Sequence, residues 1–172
     1  MAHGSALTVE SNVLRAASPV ANGKFGGCAN AQSGATMLLR DSLVHGCFES
    51  GVLVLGSHGT IERTEVRDVA PRASDGLAGD AVAFVSDARR SDGTLRHAIL
   101  ERAARAGLLV HGADTLVEGC TFGCNPIHLN SESSSAWPDD LHDGGGNACG
   151  CEGAAVACTV AHATLEPPEP LP

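Results

Sequence analysis

Five segments of this 172-residue chain align column by column, and that alignment restricts the fold more than any other feature. They are VESNVL (9–14), LRDSLV (39–44), IERTEV (61–66), LRHAIL (95–100) and VEGCTF (117–122). The first column reads Val9, Leu39, Ile61, Leu95, Val117, and the last reads Leu14, Val44, Val66, Leu100, Phe122; both are apolar throughout. The fourth column, Asn12, Ser42, Thr64, Ala98, Cys120, is small. The second, Glu10, Arg40, Glu62, Arg96, Glu118, is charged and alternates in sign. Successive segments start 30, 22, 34 and 22 residues apart, a base period of 22 with insertions.

A second short run follows most segments: GVLVLG (51–56), AVAFV (81–85), GLLVHG (107–112) and PIHLN (126–130). Alternation bounded by glycine is a strand signature. In it, Leu53 and Leu109 face outward, against the simple apolar-in pattern. Two or three short strands per period describe one rung of a parallel β-solenoid, whose rungs stack about 4.8 Å apart so that equal positions touch. A leucine-rich repeat shares the period but needs an LxxLxLxxN core, which is absent. A β-sandwich does not produce aligned columns at a fixed period. The expectation is therefore an all-β parallel β-helix of about five rungs over 1–130. A cysteine-, proline- and glycine-rich irregular cap or tail follows over 131–172. Opposite charges meeting along the charged column give it a structural role, and they discourage lateral aggregation.

The pattern V-x-x-small-x-aliphatic, a turn, then G-aliphatic-x-aliphatic-x-G resembles the right-handed parallel β-helix of the pectate-lyase superfamily, from Leu7 to about Asn130. The resemblance implies right-handed coiling and sites in grooves walled by loops. It does not imply one function, because the same coil serves polysaccharide lyases, hydrolases, epimerases, adhesins and modules without activity. Two long insertions, 15–33 and 67–80, leave the same corner and would wall such a groove. A third, 86–93, leaves a different corner.

Seven cysteines in a chain with no CxxC pair point to oxidised cysteine and an extracytoplasmic, secreted or cell-envelope setting. The opening Met1–Ser5 carries no apolar signal-peptide core, so the chain is expected to lie within a larger exported protein. Upstream rungs or a partner would then cover its open N-terminal edge. Cys28 and Cys47 occupy matching corners of neighbouring rungs and are expected to pair. Cys120 sits in the inward small column and is expected to be a buried free thiol. Cys124, Cys149, Cys151 and Cys158 allow three connectivities, and a bridge from Cys124 would staple the tail to the solenoid. That tail, with Trp137, is the candidate C-terminal cap.

Lys plus Arg number 11 and Asp plus Glu 20, a net charge of −9 that leaves no basic stripe for nucleic acid. No apolar run approaches the roughly 20 residues of a membrane-spanning helix. Catalytic candidates are Asp68, Asp75, Asp80 and Arg72 of the second corner insertion and His45, which shares a column with Arg15, Arg67 and Glu101. A glycosidase needs two carboxylates about 5–5.5 Å apart to retain configuration or about 6.5–9.5 Å apart to invert it. Surface acids beside glycine turns explain the same residues more cheaply. No cofactor is called for. Asp139, Asp140 and Asp143 beside Gly144–Asn147 could hold calcium, though the spacing is not that of an EF-hand. His142 with Cys149 and Cys151 could bind zinc, but disulfides suit an exported chain better.

Two readings result. The first is a non-catalytic β-helix module of an exported or cell-surface protein, a scaffold or binding surface for a polysaccharide or another cell-surface ligand. The second is a polysaccharide lyase, hydrolase or epimerase acting between the loops 15–33 and 67–80. Convergence of Asp68, Asp75, Asp80 and His45 in one groove would favour the enzyme, and their dispersal the module.

Overall fold

The computed structural model describes residues 2–15 and 17–170, and every regular element among them is a β-strand. The chain coils six times through three strands. The first coil is β1 (Ala2–His3), β2 (Ala6–Glu10) and β3 (Val13–Arg15), and the second β4 (Ala29–Gln32), β5 (Thr36–Arg40) and β6 (Leu43–His45). The third is β7 (Ser50–Leu55), β8 (His58–Glu62) and β9 (Glu65–Arg67), and the fourth β10 (Asp80–Val85), β11 (Asp92–Arg96) and β12 (Ile99–Glu101). The fifth is β13 (Ala106–His111), β14 (Asp114–Glu118) and β15 (Thr121–Gly123), and the sixth β16 (Ile127–Glu132), β17 (Asp140–Gly145) and β18 (Ala148–Cys151). The short β19 (Ala154–Val156) folds back antiparallel on β18, and β20 (Val160–Ala161) begins a seventh turn beside β16. First strands of each coil form sheet A, second strands sheet B, third strands sheet C. No helix long and apolar enough to cross a membrane occurs among the described residues.

The sequence columns are the physical register. Val9, Leu39, Ile61, Leu95 and Val117 are successive partners in sheet B, and Leu14, Val44, Val66, Leu100 and Phe122 in sheet C. From the second coil onward these side chains are buried in the core. The small column turns the corner from B to C. The Ser42 and Thr64 hydroxyls and the Cys120 thiol each donate to the carbonyl two residues back. The residue before each is left-handed: Ser11, Asp41, Arg63, His97 and Gly119. A single left-handed residue reverses strand direction without an added loop, which keeps this corner two residues long. In the charged column Arg40 pairs with Glu10 at 2.8 Å and Arg96 with Glu118 at 3.0 Å.

The solenoid runs one coil further than the aligned segments. The stretch from Ser131 was expected to leave the repeat, yet β17 pairs parallel with β14 and β18 with β15. Its columns are disguised. Asp143 and Cys149 occupy the two apolar positions, and a register shift separates Val117 from Glu118 in the pairing. Trp137 does not cover the end of the stack; its indole donates to the Asp87 carbonyl at 3.0 Å, at the corner between sheets A and B. Leu141, Val160 and the Cys149–Cys158 bridge lie over the C-terminal end. At the other end Leu7, Val9 and Leu14 are only half-buried.

Three disulfides form: Cys28–Cys47, Cys124–Cys151 and Cys149–Cys158. Stacking of Gly123 on Gly150 brings Cys124 over Cys151, with Cα atoms 4.4 Å apart. Cys120 is free and wholly buried, and burial pushes its thiol above the ordinary cysteine range. Peptide mapping of protein made in an oxidising compartment should return these three bridges. Cys120 should be alkylated only after denaturation. A Cys124–Cys149 peptide would contradict the register of the last two coils.

Candidate functional site

Both long insertions do leave the corner between sheets C and A, over 17–28 and 68–79 among the described residues. They do not wall an open groove. The Ser74 amide donates to the Gly23 carbonyl at 3.2 Å, so the two loops meet above the corner. Beneath them lies Glu49, 3% exposed, in the short corner of the coil between. Its carboxylate accepts from the Phe25 amide at 3.0 Å and from Arg72 at 3.3 Å. Arg72, 5% exposed, also holds Asp75 at 3.0 Å. Next to this group Asp80, fully buried, accepts from the Nε and Nη2 of the Arg105 guanidinium, one contact at 2.9 Å.

The nominated residues therefore separate. Arg72 and Asp75 meet directly, and Asp80 lies beside them through the backbone bond from its amide to the Glu49 carbonyl at 3.2 Å. Asp68 is on the surface, paired with Arg102 at 2.7 Å, and His45 sits in sheet C against Arg67 of the next coil. No hydrogen bond or ion pair among the described residues links those two to the Glu49 cluster. Arg102 holds Asp68 below the ordinary aspartate range. The Leu77 amide and then Arg72 do the same for Asp75. Burial pushes Asp80 up against the pull of Arg105. Acid–base catalysis needs a carboxyl that can reach substrate and change protonation near working pH. Here Asp68 and Asp75 are held ionised, and Asp80 is out of reach.

Glu49, Arg105 and Lys24 were not singled out by the sequence. One signal was present: the pairing of Ser50 with Asp80 follows from the repeat and places Glu49 at the same corner.

The outer face of sheet A is the second component. Its outward columns are Asn30, Leu53, Ala83, Leu109, Asn130 and Gln32, Leu55, Val85, His111, Glu132. Leu53, Ala83 and Leu109 are at most 2% exposed although they point away from the core. The C-terminal tail covers them. The His162 ring donates to the Ser131 carbonyl, the Ala163 amide to Asn130 at 3.0 Å, and the Leu165 amide to Glu132 at 2.7 Å. Leu165 packs on the apolar stripe and Pro168 is buried. Arg105 donates to the Glu166 carbonyl at 2.8 Å, and Glu169 is held by Lys24 at 2.8 Å and Arg72 at 3.0 Å. Lys24, and then Arg72, hold the Glu169 carboxyl below its ordinary 4.5, so the clasp persists as pH falls to that value. The tail thus runs from the sixth coil back to the loop of the second and closes over the Glu49–Arg72 cluster. A cavity of about 10 Å³, enough for one water, remains beneath it. Asn30 lines that cavity, and its buried side-chain oxygen has no hydrogen-bond partner.

The calcium candidates do not converge. Asp139 accepts from the Ser131 and Ser133 hydroxyls at 2.6 Å each, and Asp143 from Gly145 and Asn147 at 2.8 and 2.7 Å. Asp140 instead joins Asp114 and His142, whose donor atoms lie within 4.8 Å of one another on the exposed face of sheet B. Stacking explains that trio: Asp114 and Asp140 are register partners, and His142 follows two residues on. The His142 Nε2 lies 3.3 Å from an Asp114 oxygen and 3.4 Å from an Asp140 oxygen, spanning the two carboxylates. Cys149 and Cys151 are consumed in disulfides and are not available to a metal.

Comparisons with protein-family models, with curated proteins and with solved structures find no match to this chain. What stands is the class: an all-β, disulfide-bonded parallel β-solenoid.

Proposed function

We propose that this chain is a non-catalytic β-solenoid module of an exported or cell-surface protein, a scaffold whose outer faces bind a polysaccharide or another cell-surface ligand. One observation carries this reading. At the corner where catalysis would sit, every acidic side chain is engaged by an arginine or lysine, and the chain's own tail closes the cleft. Three disulfides support export, since such bonds persist in oxidising compartments. Half-buried Leu7, Val9 and Leu14 support a further coil or a partner over the first coil, whose outer strand edges have no pairing partner among the described residues.

The second reading, a pectate-lyase-like lyase, hydrolase or epimerase, is favoured by a local feature. Lys24 and Arg72 gather at one corner of an otherwise acidic chain, where the Glu169 carboxylate of the tail occupies the place that an acidic sugar would take. Incubation with neutral and uronate polysaccharides, followed by assays for bound glycan, new reducing ends and unsaturated uronides, tests both. The module reading expects saturable retention on at least one polymer and no cleavage product. Product that appears with the wild type and disappears with Arg72→Met would overturn it in favour of the enzyme.

A further inference from the structure

The tail is attached under strain. Thr164, at the bend that turns it along sheet A, has φ +53. A β-branched residue in the left-handed region is an outlier, held there only by the contacts on either side. Before the bend the chain is fixed by β20 and the Cys149–Cys158 bridge. After it no covalent link remains, and the seat consists of Leu165, Pro168, the Glu166 carbonyl and the Glu169 carboxylate.

The seat is specific in chemistry. An apolar stripe of Leu53, Leu55, Ala83, Val85 and Leu109 ends in a basic clasp of Lys24 and Arg72. It accepts an extended segment with a leucine first and a glutamate four residues on. An uncovered stripe of this kind would expose several adjacent large hydrophobic side chains, so it demands an occupant. A second copy of this chain carries the matching segment. Exchange between identical chains keeps every contact after the bend and lets Thr164 relax to an ordinary negative φ. Short strained hinges favour such exchange.

We infer that the outer face of sheet A docks the tail of a second copy, so that residues 165–170 exchange reciprocally and join two solenoids as a two-fold pair. The hinge is a single residue, so the axis passes beside the sixth coils, where both Thr164 residues lie. This inference is independent of the proposed function.

Light scattering and sedimentation across a wide concentration range test it. The wild type should show a concentration-dependent dimer. Thr164→Gly, which tolerates the left-handed bend, should raise the dimer dissociation constant on the order of tenfold per tail. Thr164→Pro, whose φ is locked near −65°, should shift the protein to dimer. A charge exchange isolates the contact. Lys24→Glu in one chain and Glu169→Lys in another oppose the 24–169 contact within each chain and restore that contact twice across a mixed pair, while the Arg72 contact to residue 169 is kept in one of the two seats. Native mass spectrometry of the mixture should therefore show the mixed dimer above either homodimer, with three disulfides intact in every chain. Monomers throughout, for the wild type, Thr164→Pro and the mixture, would overturn the inference. So would a wild-type dimer whose dissociation constant neither Thr164→Gly nor Thr164→Pro moves, which would place the interface elsewhere, such as the open edge of the first coil.

Discussion

Phe84→Ala is expected to destabilise the protein by about 3–5 kcal/mol and to lower its melting temperature by on the order of 10 °C. Phe84 is fully buried in β10 and points across the solenoid onto sheet B. There it meets a notch made by Gly59 and Gly93, which are register partners. A Cβ on Gly93 would lie 2.6–2.7 Å from three ring atoms, and one on Gly59 would lie 2.9 Å from the ring. The notch is local. In the same column the neighbours of the two glycines are Met37 and Thr115, so the sheet is hollow only where the phenyl enters. Alanine would leave a void that glycines cannot fill, and stacked coils fix the sheet separation on both sides. The reciprocal change, Gly93→Ala, is expected to cost about 1–3 kcal/mol by overpacking. Combining it with Phe84→Leu should recover part of both losses, because the smaller side chain makes room for the new methyl. Denaturant unfolding of the four proteins measures this. A Phe84→Ala cost below about 1 kcal/mol would mean that the notch collapses and that the packing argument fails.

Arg105→Ala is expected to cost about 3–5 kcal/mol, with Asp80→Ala at the lower end of that range. Asp80 has no exposed surface, and its carboxylate is matched by two Arg105 nitrogens. Removing the arginine would bury an unpaired carboxylate, which must then take up a proton. Removing the aspartate would leave a guanidinium that is 16% exposed and keeps one bond to the Glu166 carbonyl. Replacing both, Asp80→Val with Arg105→Leu, should return most of the loss, since the pair and its desolvation disappear together. A double-mutant cycle on folding stability checks this. Additive losses in the cycle would show that the two side chains act separately. The same proteins bear on the second functional reading: if a double variant of restored stability still forms whatever cleavage product the wild type forms, Asp80 is a structural residue rather than a reacting one.

Much of the architecture was legible before the structure. The aligned columns specified which residues stack, and the register reproduces them pair for pair. Insertion lengths assigned the two long loops to one corner, and the same reasoning paired Cys28 with Cys47, while the inward small column left Cys120 buried and free. The sixth coil escaped because Asp143 and Cys149 replace the large apolar residues that mark the other five. A cysteine can occupy an apolar column once a disulfide holds it, and Cys149 does so through Cys158.

The candidate site was legible only in outline. Asp75, Asp80 and Arg72 do belong to one corner, but their partners Glu49 and Arg105 come from neighbouring coils. Those partners convert a candidate catalytic group into a set of ion pairs.

The sequence by itself determined the stack. In a solenoid each side chain meets chiefly the same position of the coil above and below, so a one-dimensional rule carries most of the packing information. Only the tertiary structure decided what covers the stack. The outward Leu53 and Leu109 break the alternation, and their reason is a tail that returns along sheet A, clasped to the loop of the second coil by the contact of Glu169 with Lys24 across 145 residues. That contact has no period, and its partners are a lone lysine in a loop and an acid in a proline-rich segment. It depends on where the coiled chain brings its end in space, and no column records that.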